Sequence, residues 1–343
     1  MGAATSLLPP VRVDPARVVR TSVGLRPFRP DGFVVRAERL GDKVVVHDYG
    51  HGGCGITLSW GTARLALEEA LRTPHREAAV LGAGAVGLAA ARVLQAAGFA
   101  VTVYARELPP HTTSDAAGAF WAPFSLADVE AMTPAFATRL ARAARESRDA
   151  FESLVGVARY GVRRLPLYYV DAESPALSPE MAAAPELFRG DALAPGEHPF
   201  GDRHALRMAG LTIEPAAYLR ALLDDVRRGG GRVEVRELPD LHAVAALPEP
   251  LVVNCTGLGA RALFGDAELV PVRGQLVVVE PQTEVDYMVV APREGLYMLP
   301  RRDGIVLGTT HERGSWELSP SAEETAALLA GHAALLGGGA LRV

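Results

Sequence analysis

The residues best suited to chemistry begin with glycine. VLGAGAVGLAAA at 80–91 sets Gly82, Gly84 and Gly87 in GxGxxG spacing between a strand-like and a helix-like run. There the first glycine permits a tight turn, the second lets the backbone reach a pyrophosphate, and the third lets helix and strand pack closely. The helix N-terminus presents its N–H groups to negative charge, so a dinucleotide is the expected ligand. Its ribose contact stays open: VTVYARE offers Arg106, suited to the 2′-phosphate of NADP, and then Glu107, suited to a free ribose. A second turn, VVHDYGHGGCGITLSWG at 45–61, comes earlier and holds five glycines and two histidines. It too is built for close backbone approach to a ligand.

The elements that must position these turns are legible from periodicity. GFVVRAE and KVVVHDY, separated by RLGD, read as a hairpin, and 16–30 as an extended stretch ending at Pro27 and Pro30. TLSWGTARLALEEALR suits a helix stopped near Pro74. AAVLG, AVGLAAARVLQAAG and FAVTVYA form the first half of a βαβ unit. Further on, PAFATRLARAARESRDAFESLV and AAYLRALLDDVRRGGG are helices, RVEVREL and PLVVNCTG are strands, and 171–200 reads as long loops. LVVVE, DYMVVA, LYMLP and GIVLGTT are spaced as an antiparallel sheet. No internal repeat is visible.

Bulk composition narrows the class. The 343 residues are 49% apolar and 22% charged, as in an ordinary globular protein with room for two domains. Thirty-five basic against 40 acidic residues give a net charge of −5 with no basic block, which argues against nucleic acid as a partner. Cys54 and Cys255 fit no disulfide or zinc spacing, so a reducing, cytoplasmic setting is expected. The apolar run 78–91 is too short and glycine-rich to span a bilayer, so no membrane partner is expected. MGAATSLLPPVRV lacks a secretory pattern. Gly2 and Ser6 match a permissive myristoylation pattern, for which a frayed terminus is the preferred reading.

Four segments together resemble the D-amino-acid oxidase family of FAD enzymes. HTTSDAAGAFWAPF (111–124) resembles the stretch under the flavin ring, and LVVNCTGLGA (251–260) the strand and turn near the cofactor. LYMLP with GIVLGTTHERGSWE resembles the substrate strands, and GLRPFRP with HDYGHGGCGITLSWG is similar to the end of those enzymes. That last block precedes the GxGxxG here, so the resemblance implies a circular permutant, joined at RTPHRE (72–77) and cut between LLGGGALRV and PPVRVDPARVV. The implied fold class is α/β. A Rossmann-like FAD-binding domain (30–126 and 219–267) joins an antiparallel-sheet substrate domain (11–29, 127–218 and 268–343).

The resemblance also assigns residues. Gly52, Gly53, Gly55, Ile56 and Thr57 would offer backbone groups to the flavin, where charge accumulates on reduction. Thr112, Thr113 and Ser114 would bind the phosphate and ribose side. Ala119 and Phe120 would sit at the ring's reactive edge, with Leu238 and Thr256 completing the cofactor contacts. Arg26, in GxRP, would grip a substrate carboxylate through two parallel hydrogen bonds, joined by the Tyr297 hydroxyl.

No residue is assigned to proton abstraction. His51 is expected to support the glycine loop, and Cys54 to be a packed thiol. Arg293, where a lid tyrosine is expected, would attract an acidic side chain, while Ala122 and Phe124 replace more polar residues. The implied reaction is hydride transfer from the α-carbon of a D-amino acid to flavin N5. Its products are a 2-oxo acid, ammonia and, with molecular oxygen, hydrogen peroxide. The alternatives are D-aspartate or D-glutamate oxidation, glycine or sarcosine oxidation, an NADP-linked oxidoreductase, and a non-catalytic flavin-binding protein.

Overall fold

The computed structural model describes residues 8–337. Gly2, Ser6 and most of the terminal LLGGGALRV lie outside them. The chain runs β1 (Val18–Phe28), β2 (Val34–Leu40), β3 (Lys43–Tyr49), α1 (Gly55–Leu71), β4 (Glu77–Leu81), α2 (Ala85–Ala96) and β5 (Ala100–Ala105). It continues through α3 (Pro134–Leu154), β6 (Val162–Asp171), α4 (Pro179–Ala182), β7 (Gly190–Leu193), β8 (His204–Ile213) and α5 (Pro215–Arg228). Next come β9 (Arg232–Val235), α6 (Leu241–Ala245), β10 (Leu251–Asn254) and α7 (Gly259–Leu263). The last are β11 (Val270–Val279), β12 (Met288–Ala291), β13 (Leu296–Arg301), β14 (Gly304–Gly308), β15 (Glu312–Arg313) and α8 (Ala322–Leu336).

Two sheets result. The six-stranded one has the order β2-β3-β10-β4-β5-β9 and is parallel except for the edge hairpin partner β2. Parallel strands are covered on both faces and therefore read as continuous apolar runs. Val46, Val80, Val103 and Val253 face a cluster that includes Leu58 of α1 and Leu88 of α2, whereas Val45, Leu81, Tyr104 and Val252 face Val244 and Leu263. The nine-stranded sheet runs β1-β11-β14-β13-β12-β6-β8-β7, with β15 beside β11. One face is backed by α8 through Leu328 and Leu335, and the other looks toward the large cluster.

The expected hairpin, the βαβ half-unit and the helices all form. Two readings change. The last-third strands are not a self-contained antiparallel sheet: β12 pairs in parallel with β6, and β1 is added beside β11. Strand spacing cannot foresee partners brought from elsewhere in the chain. The stretch 171–200 also contains α4, a 3-10 turn (Pro185–Phe188) and β7, whose partner β8 lies beyond it.

The α1 helix, which carries the early glycine turn, crosses α3 at a glycine. A Cβ on Gly61 would stand 2.6 Å from the Cα of Ala143, and the Gly61 N–H donates to Ser147 Oγ at 2.8 Å. Gly61→Ala is expected to push the helices apart at a cost of about 1–3 kcal/mol. Urea or thermal unfolding would register it, and unchanged stability would count against this crossing.

Candidate active site

The GxGxxG turn leaves β4 and enters α2. Gly82 has φ +107°, and a Cβ there would lie 2.6 Å from the Cys255 carbonyl oxygen. A Cβ on Gly87 would overlap the Gly82 carbonyl, so this third glycine sets the helix against the strand. Ser114 reaches the helix N-terminus, where its Oγ accepts from the Ala85 N–H at 3.0 Å. The loop carrying it is fixed by a capping box in which Thr112 and Asp115 bond reciprocally; Thr113 opens the 3-10 turn. Arg106 and Glu107 follow β5, both exposed and 3.9 Å apart. Leu238 lies beyond β9, and Thr256 beyond β10, donating to Asn254 Oδ1 through its N–H and its hydroxyl. These residues therefore follow the carboxyl ends of β4, β5, β9 and β10, the edge where open α/β sheets bind ligands.

The fifth parallel strand, β3, ends in the earlier glycine turn. A Cβ on Gly52 (φ +51°) would overlap the Ser125 carbonyl oxygen, and the Gly53 N–H donates to that oxygen at 3.2 Å. Cys54 Sγ donates to the Phe124 carbonyl at 2.8 Å and accepts from the Phe124 N–H at 3.0 Å, while Thr57 Oγ1 donates to the Ala122 carbonyl at 3.2 Å. The turn is thus strapped to 122–125. Gly55 and Ile56 open α1. Ala119 (φ 65°) and Phe120 lie on the same strap, which bonds to β8 through Ala119 and Trp121. Glycines that a Cβ would jam, and a helix N-terminus beside them, fit the pyrophosphate and the ring end of an FAD molecule.

Beneath the turn sit buried groups that burial holds neutral. Asp48 is pushed up to about 8 by burial, with Thr62 opposing, and His51 is pushed down to about 3 by burial. His51 Nε2 lies 3.4 Å from Asp48 Oδ1 and 2.9 Å from Thr62 Oγ1, so this is a contact between uncharged groups. His51 also stacks on Phe33, with ring centroids 5.8 Å apart. Burial likewise lowers His47, which bonds to Asn254 Nδ2 at 3.0 Å. Burial pushes the Cys54 thiol far up, so it is an unactivated packed group.

Arg26 on β1 and Tyr297 on β13 converge on one face of the larger sheet. In that sheet β11 and β14 lie between them, and each side chain lies over a glycine of the next strand inward. A Cβ on Gly274 would stand 2.6 Å from Arg26 Cζ, and one on Gly308 would stand 2.5 Å from the Tyr297 hydroxyl. Arg26 donates to Thr309 Oγ1 at 3.0 Å and to the Thr310 carbonyl at 3.4 Å. Among the described residues it has no carboxylate partner. Burial lowers its pKa, opposed by Tyr297 and Cys54; burial raises that of Tyr297, opposed by Arg26, Thr309 and Arg301.

The contrast is Arg273, 3% exposed on the opposite face, which binds Glu312 at 3.0 Å and Glu324 at 2.7 Å. Phe120 packs against Tyr297 at 5.4 Å and Phe124 at 5.3 Å, and Phe124 stacks on Tyr169 at 6.4 Å. Arg293 lies apart, exposed in the β12–β13 turn and bonded to Asp171 at 2.9 Å.

Thr309, Thr310, Gly274, Gly308, Tyr169 and Asp48 belong to the site but were not identified from sequence. The GTT after a strand was visible. Which glycine faces which long side chain depends on strand register.

A family model described as DAO, FAD dependent oxidoreductase, matches residues 1–69 and 77–341. The chain is 35% identical over 254 residues to a D-amino-acid oxidase of Rubrobacter xylanophilus, covering 74% of each protein. It is 35% identical over 271 residues to one of Streptomyces coelicolor, covering 76% of this chain and 77% of that protein. Its fold is similar to glycine oxidase from Bacillus cereus, with a TM-score of 0.59 and 19% identity over 76% of this chain and 78% of that one.

Two measurements check this geometry. In the unfolded chain the Asp48 carboxyl ionises at its ordinary value, but in the folded chain only near 8, so between those values the folded state holds the extra proton and stability falls as pH rises. Asp48→Asn removes that dependence, so its melting temperature relative to the parent is expected to rise from pH 5 to pH 8. A constant difference would show that Asp48 is not buried neutral. Gly308→Ala is expected to displace the Tyr297 ring and lower kcat/KM by about tenfold, a transition-state loss of about 1.4 kcal/mol. Activity equal to the parent would show that the ring does not rest on this glycine.

Proposed function

The chain belongs to the DAO family of FAD-dependent oxidoreductases, and we propose that it oxidises D-amino acids to 2-oxo acids, with oxygen as acceptor and ammonia and hydrogen peroxide as further products. The observation that carries this reading is Arg26, a largely enclosed guanidinium whose hydrogen-bond partners are neutral oxygens. A buried charge without a counterion is unfavourable, and a bidentate carboxylate ligand relieves it. Tyr297 adds a hydroxyl beside it. Together they fix the substrate's α-carbon, while Phe120 and Phe124 exclude water. Bound FAD would supply the two-electron redox chemistry between the α-hydrogen and oxygen.

The rest of the reading concerns how the chain holds that cofactor. Gly82, Gly84, Gly87 and Ser114 would face the pyrophosphate. Thr112, Thr113, Arg106 and Glu107 would lie toward the adenosine side. Gly52, Gly53, Gly55, Ile56 and Thr57 would meet the flavin, with Ala119 at its edge and Leu238 and Thr256 completing the contacts. The NADP alternative opened by Arg106 gives way to the family's FAD. A D-aspartate preference would rest on Arg293, whose charge Asp171 engages. No described helix is long and apolar enough to cross a membrane. Both cysteines are free and buried, which supports the cytoplasmic reading.

Circular permutation is part of the same proposal. The family match breaks over 70–76, which takes in the end of α1 and the short connection that would be the joint. Val11, near the first described residues, and Leu335 and Leu336, near the last, share one apolar cluster, which supports the proximity that such a cut requires. The two-domain boundaries drawn from sequence belong to this reading too.

Anaerobic addition of D-amino acids to the holoenzyme is expected to bleach the flavin absorbance, and L-amino acids to leave it unchanged. Equal bleaching by both series would overturn the assignment. Arg26→Ala is expected to cost about 2–5 kcal/mol, or roughly 30- to 5,000-fold in kcat/KM, largely through KM.

A further inference from the structure

Arg301 lies four residues beyond Tyr297 on β13 and so points to the same face of the larger sheet. Its side chain is 6% exposed, and a carboxylate neutralises it: Nε donates to Asp303 Oδ1 at 2.9 Å and Nη2 to Asp303 Oδ2 at 2.7 Å. Arg20, on β1, grips the same carboxylate. Against burial, which would raise it, these two guanidinium groups bring the Asp303 carboxyl down to about 2, so the clamp is charged at neutral pH. With one edge of the Arg301 guanidinium fixed in this way, the remaining nitrogen, Nη1, donates to the Ala117 carbonyl at 3.2 Å.

Ala117 belongs to the strap that carries Ala119 and Phe120. One end of that strap is tied to the N-terminus of α2 through Ser114, and the other to β8 through Ala119 and Trp121. Between those ties it lies on the two strands that hold the carboxylate anchor. A Cβ on Gly118 would overlap the Tyr297 hydroxyl, and one on Gly24, two residues before Arg26, would stand 3.1 Å from the Cβ of Ala116. Small residues therefore let the strap press onto β1 and β13, and Arg301 adds a directed bond at that contact. Ala119 keeps a φ of 65°, a strained value for a residue with a Cβ, which persists where the surroundings hold the backbone firmly.

We propose that Arg301 is a positioning residue: clamped by Asp303 and Arg20, it latches the 116–120 strap to the substrate sheet and so sets the strap in register with Arg26 and Tyr297. It acts through the strap, whose Ala119 and Phe120 are assigned to the reactive edge of the flavin. Its contribution is to the alignment of the α-carbon with that edge, where a small misplacement slows hydride transfer and leaves carboxylate binding in place. This rests on the D-amino-acid oxidase reading above and adds a residue to it.

The experiment separates alignment from binding on the purified holoenzyme. Anaerobic rapid mixing with D-alanine gives the limiting rate of flavin bleaching. Titration with propionate, the same carbon chain without the amino group, gives the affinity of the anchor from the shift in flavin absorbance, with no turnover. Arg301→Met is expected to lower the limiting rate by about tenfold and to change the propionate Kd by less than about twofold, the reverse of Arg26→Ala. Asp303→Asn, which leaves Arg301 its bond to the strap but loosens the clamp, is expected to act in the same direction by about threefold. Arg207→Gln, which breaks an exposed ion pair with Asp191 toward the far edge of the same sheet, is expected to leave both readings unchanged. A limiting rate in Arg301→Met equal to the parent's, or propionate affinity lost in the same proportion as the rate, would overturn the latch and leave D-amino-acid oxidation intact. Should that variant not take up FAD, Asp303→Asn is judged by the same two readings. Failure of the parent to bleach with any D-amino acid would overturn both.

Discussion

A largely enclosed guanidinium with no carboxylate partner among the described residues is the constraint from which this site is built. Among the described residues, Arg26 bonds only to a hydroxyl and a carbonyl, whereas Arg273, one strand away on the other face, is saturated by Glu312, Glu324 and backbone carbonyls. The same sheet therefore neutralises one arginine internally and, among the described residues, gives the other no carboxylate. Holding an unpaired charge in place needs a rigid floor. Four adjacent strands, β1, β11, β14 and β13, supply it, with α8 packed behind them. Glycines on the two inner strands give the guanidinium and the phenol the depth to lie side by side.

The cofactor side follows a different logic. All five parallel strands end at one edge of the smaller sheet, and each of those ends leads into a segment assigned to the cofactor. Two of the connecting turns depend on glycine because a carbonyl occupies the space a Cβ would need: that of Cys255 for Gly82 and that of Ser125 for Gly52. Under the second turn the buried polar groups stay uncharged, since desolvation disfavours ionised Asp48 and protonated His51 alike. A neutral support leaves the positive field of the pocket to Arg26. That arrangement suits a ligand whose anionic group must find one place only.

The chain passes repeatedly between the sheets: β1 belongs to the larger, β2–β5 to the smaller, β6–β8 to the larger, β9 and β10 to the smaller, and β11–β15 to the larger. Neither sheet is contiguous in sequence. The parallel strands and antiparallel strands are stabilised by contacts that do not depend on the order in which the segments are linked. A permuted order is compatible with that, because the first and last described segments meet in one apolar cluster.

Local rules settled much of this protein. The GxGxxG turn, the hairpin at β2 and β3, the amphipathic α3 and α5, and the candidate roles of Arg26 and Tyr297 could all be read from spacing or from motif resemblance, because each is specified within a few residues. What the sequence left open is governed by register and by distant neighbours. That β12 pairs in parallel with β6, that Gly274 and Gly308 lie under Arg26 and Tyr297, and that Asp171 engages Arg293 follow from segments more than a hundred residues apart in several cases. Sequence determined which groups could do chemistry; only the folded sheet, by burying some charges with partners and one without, decided which of them would be available for it.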